Sequence, residues 1–332
     1  MDAQGVLVGL AGVVASTAPI VVAAVGETLT ERSGVINLSV NGTILLSAMG
    51  SFVIALTTGS LLLGFISGAV IGAVVALLLS FGSITLRQSQ VAIGFVLALF
   101  CRDLSYFLGN PFMGEKGPRL AVHPIPGLER IPILGTLFFE HDVMTYFSLV
   151  LIALSWWWVF KTRPGLTLRA VGERPAAAFA RGARVGVTRY AYTVLGGALV
   201  GLAGPMFSLS VKAGWKGTIS GLDGLGWIVL AIVIFGAWNP VRVALGAYLF
   251  GLLQWLSVVL QPYLADIPSQ VLQVAPFPLM ILTLLFVNLG NAEWVDRVLA
   301  ALPEPSRRVV ARVLRAMRVT QPRSLGVPFE QD

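Results

Sequence analysis

Apolar residues fall into nine long runs separated by short polar stretches: 6–24, 38–57, 61–82, 91–108, 143–160, 191–211, 222–238, 243–261 and 269–288. A helix rising about 1.5 Å per residue needs about 20 apolar residues to cross a hydrocarbon layer about 30 Å thick. Each run meets that requirement, although 38–57 and 222–238 are rich in Gly, Ser and Thr. The pattern predicts an all-α, polytopic transmembrane helix bundle of about nine spans. It divides into a membrane domain over 1–290 and a polar, basic tail over 291–332. Within the tail, Arg307, Arg308, Arg312, Arg315 and Arg318 alternate with Val309, Val310, Val313, Leu314 and Met317. That spacing predicts a basic amphipathic helix over 306–319, suited to an anionic membrane surface or to a partner subunit.

Composition agrees. The 332-residue chain is 56% hydrophobic and 12% charged, whereas a soluble domain is about a quarter charged. The net charge of +7 sits in short segments between apolar runs, which is an orientation signal rather than a nucleic-acid footprint. The loop 161–190 carries Lys161, Arg163, Arg169, Arg174, Arg181, Arg184 and Arg189 against Glu173 alone, so it is expected in the cytoplasm. The segment 109–142 is slightly acidic and is expected outside. Alternation then places the N-terminus outside and the C-terminus in the cytoplasm, with Lys212 and Lys216 as a mild exception. Trp156, Trp157 and Trp158, followed by Lys161, mark a membrane boundary or a packing surface. No basic residue precedes the first run, so that run is expected to be a retained helix rather than a signal peptide.

Little in the chain points to covalent chemistry. There is no phosphate-binding G-x-x-x-x-G-K-[ST] loop. Cys101 is the single cysteine, and the two histidines, His123 and His141, fall in the outer segment. An intramembrane enzyme would need a reactive constellation inside the bundle, and none is visible. Ion-coupled transporters place carboxylates deep in their helices. Here the acids sit near run ends, apart from adjacent Arg102 and Asp103, which can neutralise each other or neighbours and read as a structural ion pair or a gate. The deep bundle therefore reads as uncharged, favouring a neutral, hydrogen-bonding solute and an external energy source.

Three segments stand out. Residues 26–42, dense in Gly and polar groups, join two runs. Non-helical backbone at membrane depth survives only when buried in protein or lining a watery cavity. Ser33, Asn37, Asn41 and Gly42 are therefore candidates for a solute pathway; the alternative is a loop whose Asn and Ser cap the next helix. The stretch from Gly221 through Asp223 and Gly224 to Trp227 is a second interruption, leading to Phe235-Gly236-Ala237-Trp238-Asn239-Pro240. Broken helices in the two halves of a transporter commonly mark its pathway, and close glycine packing is the alternative. In the basic loop, Pro175 suits a helix start and Gly182 its end. The enclosed alanine-rich helix is too short to be stable alone in water and must dock on this chain or on a partner.

The segments G-E-T-L-T-E-R-S-G-V-I-N-L (26–38), L-R-A-V-G-E-R-P-A-A-A (168–178) and I-F-G-A-W-N-P (234–240) resemble permeases of bacterial ABC importers. That family handles branched-chain amino acids, ribose-like sugars and nucleosides, and the resemblance is closest to the nucleoside and simple-sugar branch. It covers about residues 6–290. It implies a type II importer permease in the bacterial inner membrane, importing a nucleoside or related sugar by alternating access. It implies that 172–182, with Gly172, Glu173, Pro175, Ala177, Ala178 and Phe179, docks in a cytoplasmic ABC ATPase. ATP and Mg would be bound there, with no cofactor in this chain. Its other implied partners are a second permease, of a different sequence, and an extracytoplasmic substrate-binding lipoprotein. Where the family often has Gly-(Ile/Leu)-Glu-Gly, this chain has Ser39-Val40-Asn41-Gly42. An amino-acid importer of the same family and an ion-coupled secondary transporter are the competing readings.

Overall fold

A computed structural model describes residues 3–212, 214–263, 278, 282 and 321–329. The chain forms two compact units, Met1–Gly251 with Pro322–Asp332, and Leu252–Gln321. The first holds helices α1 (Ala3–Arg32), α2 (Val40–Thr58), α3 (Leu61–Ser80), α4 (Gln90–Gly109), α5 (Val143–Lys161), α6 (Arg163–Glu173), α7 (Pro175–Ala180), α8 (Val185–Pro205) and α9 (Leu225–Phe235), and the start of α10 (Pro240–Leu260). No strand occurs among the described residues, which hold one isolated bridge, Val122 with Asp142. Eight segments there are long and apolar enough to cross a membrane. They correspond to the first eight runs. The ninth, 269–288, lies outside the described residues apart from Pro278 and Leu282, as does the expected tail helix 306–319.

Packing follows the logic of a lipid solvent. On α3, Leu62, Leu63, Ile66, Val70, Val74, Leu77 and Leu78 are exposed. They form one helical stripe that needs no protein cover where the surroundings are themselves apolar. The opposite face is small. A Cβ at Gly72 would run into the backbone of α8 at Gly197 and Gly201, so α3 and α8 approach at backbone distance only because all three are glycines. Helix α8 also packs on α1 and α2. Buried hydroxyls return their protons to the preceding turn, as Ser47 Oγ does to Thr43 O (2.7 Å) and Thr28 Oγ1 to Ala24 O (2.7 Å).

Helix α1 departs from the sequence expectation. It continues through Glu27–Arg32, which the polar pattern assigned to a linker. At 30 residues it is about 45 Å long. The polar groups are tolerated because the fold supplies partners: Asn37 Nδ2 donates to Glu27 Oε2 (2.9 Å), and Trp238 Nε1 donates to Glu31 Oε2. Residues 33–39 then fold back along α1, since Asn37 reaches a residue well inside the helix end. Helix α2 thus starts within the bundle rather than at its edge. Helix α9 is also short: eleven residues span about 16 Å, half a membrane. A 3-10 turn, Gly217–Ser220, and bends at Gly221 and Gly224, both at positive φ, precede it.

The basic loop holds two helices where one was expected. Thr162 Oγ1 accepts from Gly165 N (3.2 Å) and caps α6, with Leu168 and Val171 buried. The helix breaks at Arg174, and α7 follows from Pro175, so Gly172 and Glu173 belong to the end of α6. Ala178 packs with Val171 and Val185, whereas Phe179 is 45% exposed. The tryptophans 156–158 are all exposed, with Lys161 over the Trp156 ring and Trp158 Nε1 donating to Tyr192 OH (3.0 Å).

Candidate functional site

Helices α2 and α9 meet at their N-termini, where four backbone N–H groups of any helix lack intrahelical acceptors. Asn41, in the first turn of α2 and 3% exposed, serves the start of α9: its Oδ1 accepts from Gly224 N (2.9 Å) and Gly226 N (3.2 Å). Side-chain capping normally comes from the residue just before a helix; here it comes from a distant part of the chain. The approach depends on Gly226, where a Cβ would overlap the Asn41 backbone. The Asn41 amide donates in turn from Nδ2 to Asp223 Oδ1 (2.8 Å).

The second oxygen of Asp223 faces α4. Arg102 Nε donates to Asp223 Oδ2 at 2.7 Å, and Tyr106 OH donates to the same oxygen at 3.2 Å. Arg102 also lies over the Tyr106 ring, 5.6 Å from its centroid, and Tyr106 leans on Trp215 at 6.1 Å. Arg102 was expected to neutralise Asp103 or a neighbour, and the fold pairs it chiefly with a neighbour. Asp103 is 3.6 Å from an Arg102 nitrogen, and the tighter, better-shielded partner is Asp223, 121 positions from Arg102. The structure corrects the picture of an uncharged interior. Glu27 (0% exposed) and Glu31 are buried, and an ion pair stands at mid-depth.

Arg102 lies in the second half of α4, about 18 Å along an axis of about 30 Å. A charge at such a depth costs about 2.5–3.5 kcal/mol even on insertion scales. Yet the Arg102 and Asp223 side chains are 40% and 33% exposed in the single chain. Two turns before Arg102 on α4 stands Phe95, its ring centroid 6.5 Å from that of Trp227, which is 40% exposed in the first turn of α9. A face carrying a half-exposed ion pair and two open aromatic rings is unsuited to lipid. It suits water, a polar solute or another protein.

Of the expected pathway residues, Asn41, Asp223 and Gly224 come together here, with Gly42 against Ala98 of α4. Ser33 and Asn37 do not. Ser33 Oγ donates to Thr30 O (2.7 Å) in the turn closing α1. Asn37 bridges Glu27 and the Ser39 N–H, which donates to Asn37 Oδ1 at 3.1 Å. Near Ser33, Arg32 Nε donates to Trp238 O, and the guanidinium sits 5.1 Å from the Phe160 ring. Ala237 and Trp238 hold positive φ, costly for residues bearing a Cβ. Lys212, where α8 leads into the 214–224 stretch, is held below the usual lysine range by burial and by the nearby Lys216 charge. Sequence reading offered Arg102 as a gate and Trp227 as part of the second interruption, but missed Tyr106 and the pairing of Arg102 with Asp223. The available signal was an arginine well inside an apolar run.

A family model described as branched-chain amino acid transport system / permease component matches residues 9–287. Among curated proteins, the nucleoside ABC transporter permease protein NupC of Lactococcus lactis is 34% identical over 294 residues, covering 84% of this chain and 92% of that protein. The guanosine ABC transporter permease protein NupQ of Bacillus subtilis is 33% identical over 283 residues, covering 80% and 88%. A permease of Haloferax volcanii named for glucose, TsgC13, is 36% identical over 255 residues, covering 73% and 77%. No solved structure matches.

Proposed function

Because the chain belongs to the branched-chain amino acid transport permease family, we propose that it is the membrane-spanning subunit of an ATP-driven importer for a nucleoside or a related sugar. The observation that carries this reading is the half-exposed junction of Asn41, Arg102, Tyr106 and Asp223 beside Trp227 and Phe95. A neutral solute with a flat π face and several hydroxyls suits such a surface. Rings can stack on the base, and the charged pair can exchange hydrogen bonds with the sugar without any net charge to balance. The names of the relatives, nucleoside, guanosine and glucose, support the same class.

In this reading the basic end of the bundle faces the cytoplasm. A partner ATPase, binding ATP and Mg, receives α7, with Ala177 and Phe179 as its exposed contacts. A second permease faces α4 and α9, and a substrate-binding lipoprotein delivers the solute to the opposite end. ATP binding shifts α6 and α7, and the junction between α2 and α9 opens alternately to either side. The chain supplies geometry and hydrogen-bonding groups, with no bond made or broken in the solute.

The test is uptake of labelled guanosine, glucose and leucine by proteoliposomes holding this chain with its partner permease, ATPase and binding protein. Guanosine or glucose uptake that needs internal ATP and survives collapse of the ion gradients is expected. Uptake driven by a proton or sodium gradient without ATP would overturn the importer reading, and uptake of leucine alone would overturn the substrate class.

A further inference from the structure

The segment Pro322–Phe329 has no helix or strand of its own, yet Pro322 is buried and Ser324 is 5% exposed. Its contacts are with four separate parts of the basic end. Ser324 N donates to Gly172 O at 2.9 Å, and Ser324 Oγ lies within donating distance of Gly172 O (2.6 Å) and Val171 O (3.1 Å). Those carbonyls belong to the last turn of α6, which lacks intrahelical donors, so the segment is the C-terminal cap of α6. Gly326 N donates to Gly34 O (3.1 Å) in the turn after α1. Arg189 of α8, itself 2% exposed, donates from Nη1 to Val327 O (2.9 Å) and from Nη2 to Ser324 Oγ (3.4 Å). Phe329 packs on the Val171, Ala178 and Val185 cluster, with its ring 5.8 Å from that of Phe179.

A buried guanidinium is costly unless its donors are met. The two terminal nitrogens of Arg189 are met here by the tail's own carbonyl and hydroxyl, while its buried Nε has no partner. The short stretch Ser324–Phe329 thus ties together the end of α1, the end of α6, the inner face of α7 and the start of α8. Helix α7 has six residues and is too short to hold its own shape. Its packing on α6 and α8 is completed by Phe329.

We propose that Pro322–Phe329 is a positioning element for coupling: it clips α7 to α1 and α8, so that movement imposed on α7 by the ATPase reaches the turn leading to α2. This rests on the importer reading. The clip makes no contact with solute, and its role is to make α6, α7 and the 33–39 linker move as one piece.

Two measurements test it. In a Cys101→Ala background, Phe179→Cys with Phe329→Cys should be joined in native membranes by a flexible bismaleimide, whose reach exceeds the contact between the two rings, seen as fragments that stay joined after cleavage between the two positions. In the full importer in proteoliposomes, removal of Pro322–Asp332 should leave ATPase capture intact but reduce solute imported per ATP at least about tenfold. Ser324→Ala with Phe329→Ala should do so at least about threefold, with Phe329→Trp close to wild type. If the truncated chain fails to accumulate, the double substitution decides. Absence of the crosslink, or unchanged solute per ATP in both variants, overturns the clip. A crosslink in the double-cysteine chain, together with a wild-type assembly that shows no ATP-dependent uptake, overturns the importer reading instead, and with it the coupling role.

Discussion

Exchanging the two side chains at the centre of the junction is a demanding test of it. In Asn41→Asp, position 41 still accepts from Gly224 N and Gly226 N, but it now presents a carboxylate to Asp223 Oδ1 where an amide donor stood 2.8 Å away. Two charges about 4 Å apart at an effective dielectric near 20 repel by about 4 kcal/mol. Uptake of a proton limits the damage, so a cost of about 2–4 kcal/mol follows, or roughly 30-fold and upward in the population of the intact junction. In Asp223→Asn, Arg102 loses the charge on its acceptor, worth about 1.5–3 kcal/mol. The double exchange removes the carboxylate clash and restores the number of hydrogen bonds, while Arg102 keeps a neutral acceptor as in Asp223→Asn alone. The amide now at position 223 donates to the carboxylate at position 41 and accepts from Arg102 and Tyr106, while that carboxylate caps α9. Uptake of the labelled solute and thermal unfolding in detergent, measured on all four proteins, close a double-mutant cycle. Each single variant should lose at least about tenfold in uptake, and the double should lose no more than Asp223→Asn alone, a coupling of about 2 kcal/mol or more. Additive losses would refute the claim that these two side chains form the hinge between α2 and α9.

Trp227→Ala should raise the apparent KM for a nucleoside by about tenfold, the lower part of the range for loss of a base-stacking ring, while Trp227→Phe holds it within about threefold; competition uptake assays read both. Ala177→Arg places a long cation on the exposed face of α7 and should abolish co-purification of the ATPase without lowering the amount of folded permease in the membrane. Asn37→Ala removes the hydrogen-bond donor to Glu27 Oε2, in a carboxylate whose Oε1 already has no partner. It should lower stability by about 1–3 kcal/mol, seen as a falling midpoint in a detergent thermal scan.

The spans were legible because lipid imposes a length and an apolar content that each run shows on its face. The pieces that set the site were only half legible. The polar density of residues 26–42 read as an unwound linker, and its first part is helix. Glu27 and Glu31 are accommodated by Asn37 and Trp238, contacts between positions up to 207 apart that periodicity does not encode. Asn41 and Asp223 were legible as polar groups beside glycine in two interruptions, but not as partners. Arg102 was visible as an arginine inside an apolar run, and its immediate neighbour Asp103 offered a sufficient local partner that the fold uses only weakly. The helix after Pro175 was legible from its Pro and Gly punctuation. Helix α6 before it was not, since its apolar face is only Leu168, Val171 and the small residues between basic ones.

The parts then fit one mechanical argument. The polar junction lies where α2 and α9 begin, and the 33–39 linker enters α2 from the basic end. That linker is held on one side by α1, through Asn37 and Glu27, and on the other by the tail, through Gly34 O and Gly326 N. The same tail residues grip α6 and α7. A displacement at α7 therefore meets a chain of hydrogen-bonded and packed groups: Phe179 to Phe329, Ser324 to Gly172, Gly326 to Gly34, Asn37 to Ser39, and Asn41 to the start of α9. What makes this arrangement a candidate transmission is that its two ends are both helix termini. There a shift of about one hydrogen bond exchanges a satisfied backbone group for an orphan, a two-state event rather than an elastic one. The bonds at Gly172 and at Asn41 are accordingly where opening and closing would be decided, and the stiff glycine-packed body of α1, α3 and α8 between them is what lets the two ends answer each other.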